Sequence, residues 1–194
     1  MSNEVVFDIE TQNTFADVDN DWKKLRVSCV SVYHYATDTY ESFEEHELGK
    51  LWPIFEKAER LIGFNSAHFD LPVLANYYLG DFSKFQHLDM MENVKASVGF
   101  RLKLNDIAQA TLDNVEKSAE GLQAVRWWKE GKIDEIKKYC EQDVRVTKEV
   151  YEFGKKNKQL FYKSLTGDVL PFRVNFDLQK EGIKTAQINL TLPL

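Results

Sequence analysis

Phe7-Asp8-Ile9-Glu10-Thr11 sets two carboxylates one residue apart at the end of an apolar run that begins at Val5. In a strand, successive side chains alternate faces, so Asp8 and Glu10 project together while Phe7 and Ile9 project to the opposite side. Two like charges so held repel, and a hard divalent cation with oxygen ligands is a natural bridge between them. A solvated strand terminus would also explain the pair, so the other acids must decide.

The next informative acid lies on a helix expected from 133 to about 153. Stepping about 100° per residue from Ile136, the residues Tyr139, Cys140, Thr147, Val150 and Tyr151 define an apolar arc, and Asp143 falls inside it at about −20°. A carboxylate aimed at a core costs several kcal/mol unless it is paired or binds a metal. A buried salt bridge would satisfy Asp143, and so would a cation. Tyr139, one turn earlier on the same face, reaches the same place. Asp70, between Phe69 and Leu71-Pro72, reads either as an N-cap for a helix over 71–79 or as a carboxylate at a cleft rim beside a strand end.

The elements that must position these groups follow from periodicity and turn residues. Strands are expected over 4–10, 26–35 and 40–46, the last two joined by the short Thr37-Asp38-Thr39 link, which makes an antiparallel three-stranded meander. A helix follows over 48–58, then a buried strand over 61–64, the loop 65–70, the helix over 71–79 and a strand over 86–89. The pattern is helical from Met90 through 104–112, 121–130 and 133–153, with Gly99, Gly121, Gly131 and Gly154 as punctuation. Residues 159–163 and 172–176 flank Thr166-Gly167-Asp168 as a small hairpin. The division expected is a main domain over 1–158 and a C-terminal hairpin extension with its tail over 159–194, packed on the same domain.

The 194 residues, 43% hydrophobic and 29% charged, suffice for one substantial core. A net charge of −6 excludes a broadly basic surface that binds polyanions by phosphate neutralisation alone, although two divalent cations would offset four of those charges. Cys29 and Cys140 are too few and too distant in sequence for a disulfide framework and suit reduced thiols. With no apolar stretch of spanning length and no basic-apolar leader, a soluble cytoplasmic protein is expected, without membrane partners.

Taken in order, three segments resemble the motifs of the DEDD exonucleases of the ribonuclease-H-like, DnaQ-type superfamily: Phe7-Asp8-Ile9-Glu10-Thr11, Asn65-Ser66-Ala67-His68-Phe69-Asp70 and Tyr139-Cys140-Glu141-Gln142-Asp143. A Tyr four residues before the last Asp is similar to the DEDDy branch. The resemblance implies a ribonuclease-H-like α/β fold: a mixed five-stranded sheet containing the meander, helices on both faces and the added hairpin. It is also similar to small exonuclease-like domains found beside helicases, so a helicase or polymerase is the protein partner it points to.

It further implies that Asp8, Glu10, Asp70 and Asp143 hold two Mg²⁺ or Mn²⁺ ions and that Tyr139 orients the attacking water. Asp8 would bridge the ions. The reaction implied is 3′ to 5′ hydrolysis of a single strand with a free 3′ end, DNA favoured over RNA, releasing nucleoside 5′-monophosphates. Thr11, Asn65, His68 and Phe69 are candidates to hold the terminal nucleotide, Phe69 alternatively serving the core. Two rival readings use the same fold: a catalytically weak or inactive module that binds nucleic acid or a helicase, and a structure-specific endonuclease. His34, His46 and His87 show no ligand spacing. Lys155, Lys156 and Lys158 read as a solvated helix end favoured by the macrodipole, and the acidic run 17–21 has no assigned role.

Overall fold

The computed structural model of the chain describes residues 3–112 and 122–178. Three antiparallel strands, β1 (Glu4–Thr11), β2 (Val27–His34) and β3 (Thr39–Glu44), form the expected meander. Two parallel strands, β4 (Arg60–Gly63) and β5 (His87–Asp89), extend it into one sheet of order β3-β2-β1-β4-β5. The helices are α1 (Leu48–Lys57), α2 (Asp70–Leu74), α3 (Met90–Val98), α4 (Leu104–Thr111), α5 (Leu122–Lys129) and α6 (Ile133–Asn157). Gly121 and residues 179–194 of the expected C-terminal extension lie outside the described residues.

Alternation along β1 sorts the helices onto two faces. Val5, Phe7 and Ile9 enter a core with Leu48, Leu51 and Phe55 of α1 and Val73 and Leu74 of α2. Phe7 and Phe55 meet edge to face, with ring centroids 5.2 Å apart. Burying each such side chain contributes about 1.5–3 kcal/mol. Val6 turns the other way, into a core with Val94 of α3, Ile107 of α4 and Val144 and Val150 of α6. Glu4, Asp8 and Glu10 share that second face with Val6.

Helix α6 crosses this face antiparallel to β1. Eleven helical residues from Cys140 to Tyr151 rise about 16 Å, and four strand residues from Asp8 to Glu4 span about 13 Å. The two elements therefore stay in step: the Cys140 thiol bonds to Asp8 at one end and the Tyr151 hydroxyl to Glu4 at the other. Asp134 and Glu135 in the first turn and Lys155 and Lys156 in the last complement the macrodipole.

At the end of α6, Lys156 and Lys158 are exposed as the solvated basic cluster requires, and Lys155 departs from that reading. Lys155 Nζ lies 2.9 Å from Oε2 of the buried Glu4, and Lys158 pairs with Asp177. Glu4 is also held by Arg60 and by the Tyr151 hydroxyl, 2.8 and 2.9 Å from its two oxygens. Arg60 Nη2 donates in addition to the Phe176 carbonyl at 3.0 Å. The Phe176 ring sits so close to Gly154 that a Cβ there would stand 2.5 Å from it. The segment after the hairpin is thus bound to the sheet and to α6 together.

Two elements are shorter or shifted relative to the sequence reading. Helix α2 ends at Leu74 because the following amides tighten to three-residue bonds, Asn76 to Val73 and Tyr77 to Leu74. The hairpin pairs β6 (Gln159–Lys163) with β7 (Val169–Arg173), not with 172–176, in the register Lys163↔Val169 to Gln159↔Arg173. Pro171 argues against a strand in sequence, yet a two-stranded ribbon leaves one edge on which it costs no ladder bond. Phe176 is freed to pack on α6.

Candidate active site

The acids of β1 stand where the sheet opens. Pairing of β1 with β4 stops at Val6↔Ile62, and the ladder with β2 jumps from Glu10↔Cys29 to Thr11↔Val27, a bulge beside Glu10. Bulges at strand ends re-aim side chains and terminate pairing. The opening is a cavity of 650 Å³ whose lining includes Asp8, Glu10, Asp70, Tyr139 and Asp143, together with Thr11, Asn65 and Phe69. His68 is absent from that lining: it is exposed, and its Nε2 lies 3.6 Å from Glu92 on α3.

Carboxylate oxygens of Asp8, Glu10 and Asp143 all lie within 4.8 Å of one another. Burial first, then the carboxylates around it, pushes the Asp8 carboxyl well above the usual range; Asp70, Asp143 and Glu10 all contribute. Glu10 is raised by burial and then by Asp143 and Asp70. An all-oxygen, anionic donor set at this spacing suits a hard divalent cation such as Mg²⁺ or Mn²⁺. The Cys140 thiol is not a competing soft ligand. Burial and the neighbouring Cys29 push it up, so it stays protonated and donates to the Asp8 carbonyl at 3.3 Å.

Asp70 reaches the cavity differently from the N-cap reading. Helix α2 starts at Asp70 itself, with Phe69 in the capping position and no side-chain cap bond. The Asp70 carboxyl is pushed up to about 7, by burial first and by Asp89, against the lowering effect of its own amide and that of Ile9. A carboxyl raised on folding contributes stability below its unfolded pKa, near 4, and loses it as the pH rises through 7. Metal-free wild type is therefore expected to lose thermal stability relative to Asp70→Asn between pH 4 and 8, with Mn²⁺ abolishing the difference in slope. Melting curves across that range check this; parallel profiles without metal would contradict it.

Asp89 organises the loop that delivers Asp70, and the sequence offered only its strand end as a signal. Its buried carboxylate accepts from the amides of Asn65 at 2.8 Å, Ala67 at 3.0 Å and Met91 at 2.9 Å, tying the loop 65–69 to the start of α3. Asn65 takes a positive φ of 66° at this turn, and Arg101 donates to its side-chain oxygen.

The opposite wall comes from the acidic run left without a role. Asp17 accepts from the amide and hydroxyl of Thr14, both at 2.8 Å, and Asp21 caps the short turn Trp22–Lys24 by accepting from the Lys23 amide. These turns raise Phe15 against Trp22 and Phe69, with centroids 4.4 and 5.9 Å away. Phe69 thus serves both the core edge and the cavity. On the far side Leu122 and Val125 of α5 line the cavity, and Trp127 packs edge to face on Tyr139 at 6.0 Å. Of these wall residues only Phe69 is a candidate in the sequence; Phe15, Leu122 and Val125 carry no chemical signature there.

Residues 5–153 match the family model RNase_H_2, described as RNase_H superfamily. No curated protein sequence matches the chain. Among solved structures it is similar to the family B DNA polymerase of the archaeon Pyrobaculum calidifontis, at 16% identity and a TM-score of 0.60 over 78% of this chain and 24% of the polymerase. It is similar also to RNase D of Trypanosoma brucei, at 16% identity and a TM-score of 0.59 over 78% of this chain and 57% of that protein. The chain thus spans less than two thirds of either protein. The sheet order, the helices on both faces and the family match over 5–153 agree: the chain belongs to the RNase_H superfamily.

Proposed function

We propose that the protein is a DEDDy-type 3′ to 5′ exonuclease that removes nucleoside 5′-monophosphates from single-stranded nucleic acid, with DNA the favoured substrate. The observation that carries this reading is the triad Asp8, Glu10 and Asp143, within 4.8 Å of one another on the lining of an open cavity that Asp70 and Tyr139 also line. The similar structures, one an RNase D and one a DNA polymerase, are consistent with a nucleic-acid substrate.

Asp8, Glu10, Asp70 and Asp143 are the residues that would hold two Mg²⁺ or Mn²⁺ ions. Bound there, the ions would lower the pKa of the attacking water and offset charge developing on the phosphate. The chain's own groups do the rest. The Tyr139 hydroxyl, fixed by Trp127 behind its ring, orients the water for in-line attack. Thr11 and Asn65 offer hydrogen bonds to the terminal nucleotide, and Phe15 and Phe69 offer ring faces to its base.

Incubation of 3′-labelled linear and circular single strands with Mn²⁺ tests the reading. Linear strands are expected to shorten from the 3′ end while circles persist; cutting of circles would favour an endonuclease, and no cutting a binding module. Tyr139→Phe is expected to keep the fold and slow hydrolysis about 10- to 100-fold, and a wild-type rate would remove Tyr139 from the mechanism.

A further inference from the structure

Most cations of α6 are neutralised: Lys137, Lys138, Arg145, Lys148 and Lys155 all form ion pairs. A second group is not. Lys95, Arg101, Lys103, Lys163 and Arg173 are exposed and enter no ion pair among the described residues. Four of the five come from two stretches that carry no acid, 93–105 and 153–167.

The fold brings these stretches together. Gly99, at φ 85°, ends α3 and turns the chain so that Phe100 meets Tyr162 of β6 edge to face, 5.8 Å between centroids. Thr111 of α4 fastens the same strand, its hydroxyl accepting from the Phe161 amide at 3.0 Å. Phe100 stays 47% exposed, and Leu170, opposite Tyr162 in the hairpin, is exposed beside it. A solvent-facing aromatic among uncompensated cations matches a single strand, whose bases stack while its phosphates seek charge.

The patch is continuous with the cavity. Arg101, adjacent to Phe100, donates to the side-chain oxygen of Asn65, which lines that cavity. We propose that the 99–103 loop and the Tyr162 face of the hairpin form an approach track that binds the single strand upstream of its 3′ end, Phe100 and Tyr162 stacking bases and Lys103 meeting a phosphate. The proposal rests on the nuclease reading for its direction, and deepens it by making affinity depend on strand length.

The test variant is Phe100→Ala with Lys103→Gln, both exposed positions outside the catalytic cavity. Binding is read by fluorescence anisotropy on a strand of roughly 20 nucleotides, protected by a phosphorothioate at its last linkage. Affinity is expected to fall at least about tenfold, and the salt dependence of log K to become shallower by about 0.7, from one lost phosphate contact. Turnover of an unmodified trinucleotide is expected to stay at the wild-type rate. Unchanged affinity and slope would overturn the track and leave the exposed β7 edge as a protein-docking surface. Equal loss on the trinucleotide would also overturn it, placing the effect in the cavity. Length-dependent binding lost in the variant, with no hydrolysis by either protein, would sustain the track and sink the nuclease reading.

Discussion

Asp143→Asn is expected to lower hydrolysis of single strands by about 10³-fold or more while raising the melting temperature of the metal-free protein. Asn keeps the volume and an acceptor oxygen but removes one of the four anionic ligands proposed, and ligand charge contributes several kcal/mol at the transition state, about 1.4 kcal/mol per decade of rate. The stability change has the opposite sign because Asp143 is among the groups that push Asp8 and Glu10 up. Without a cation, that repulsion is a cost of folding, and each kcal/mol relieved raises the midpoint by about 2–4 °C for a chain of this size. With Mn²⁺ the order reverses, since wild type gains more from the ion than the variant does. Single-turnover rates and melting curves with and without Mn²⁺ separate the two effects. Loss of rate together with loss of metal-free stability would mean that Asp143 is structural.

The same residue shows why part of the site was legible in sequence. Asp143 interrupts an apolar arc, and periodicity reads that breach without knowing what lies opposite. Asp8 and Glu10 were legible for a similar reason, because strand alternation alone puts them on one face. The meander, the parallel strands and five of the helical stretches follow from the same two periods. Asp89 escapes this reasoning: its partners are backbone amides of a loop more than twenty residues earlier, brought near only by parallel pairing of β4 and β5. Phe15, Leu122 and Val125 shape the cavity through packing and carry no reactive group. The turn of the hairpin is legible in Thr166-Gly167-Asp168, but its return strand is not, because Pro171 reads as a breaker until its free edge is known.

Glu4 carries no signal in the sequence beyond opening the first strand, yet it is buried. Burial alone would push its carboxyl up; Lys155, Tyr151 and Arg60 together outweigh that and hold it below the usual range. A carboxyl lowered on folding contributes stability above its unfolded pKa, near 4.5, and loses it as the pH falls through the folded value. Arg60→Met removes the buried cation, leaves Glu4 with the half-exposed Lys155 and the Tyr151 hydroxyl, and releases the Phe176 carbonyl. The expected cost is about 3–5 kcal/mol at pH 7, as for other broken buried pairs. Adding Glu4→Gln to Arg60→Met is expected to recover much of it, because no uncompensated charge then remains beneath α6. Urea titrations supply both numbers, provided the slope m is unchanged. The gap between wild type and Arg60→Met should narrow below pH 4.5, where protonation of Glu4 weakens the pair in wild type and relieves the stranded charge in the variant. A gap that stays constant with pH would show that the loss comes from packing around Arg60 instead of its charge. An equally unstable double variant would show that Glu4 is not what makes the loss of Arg60 costly.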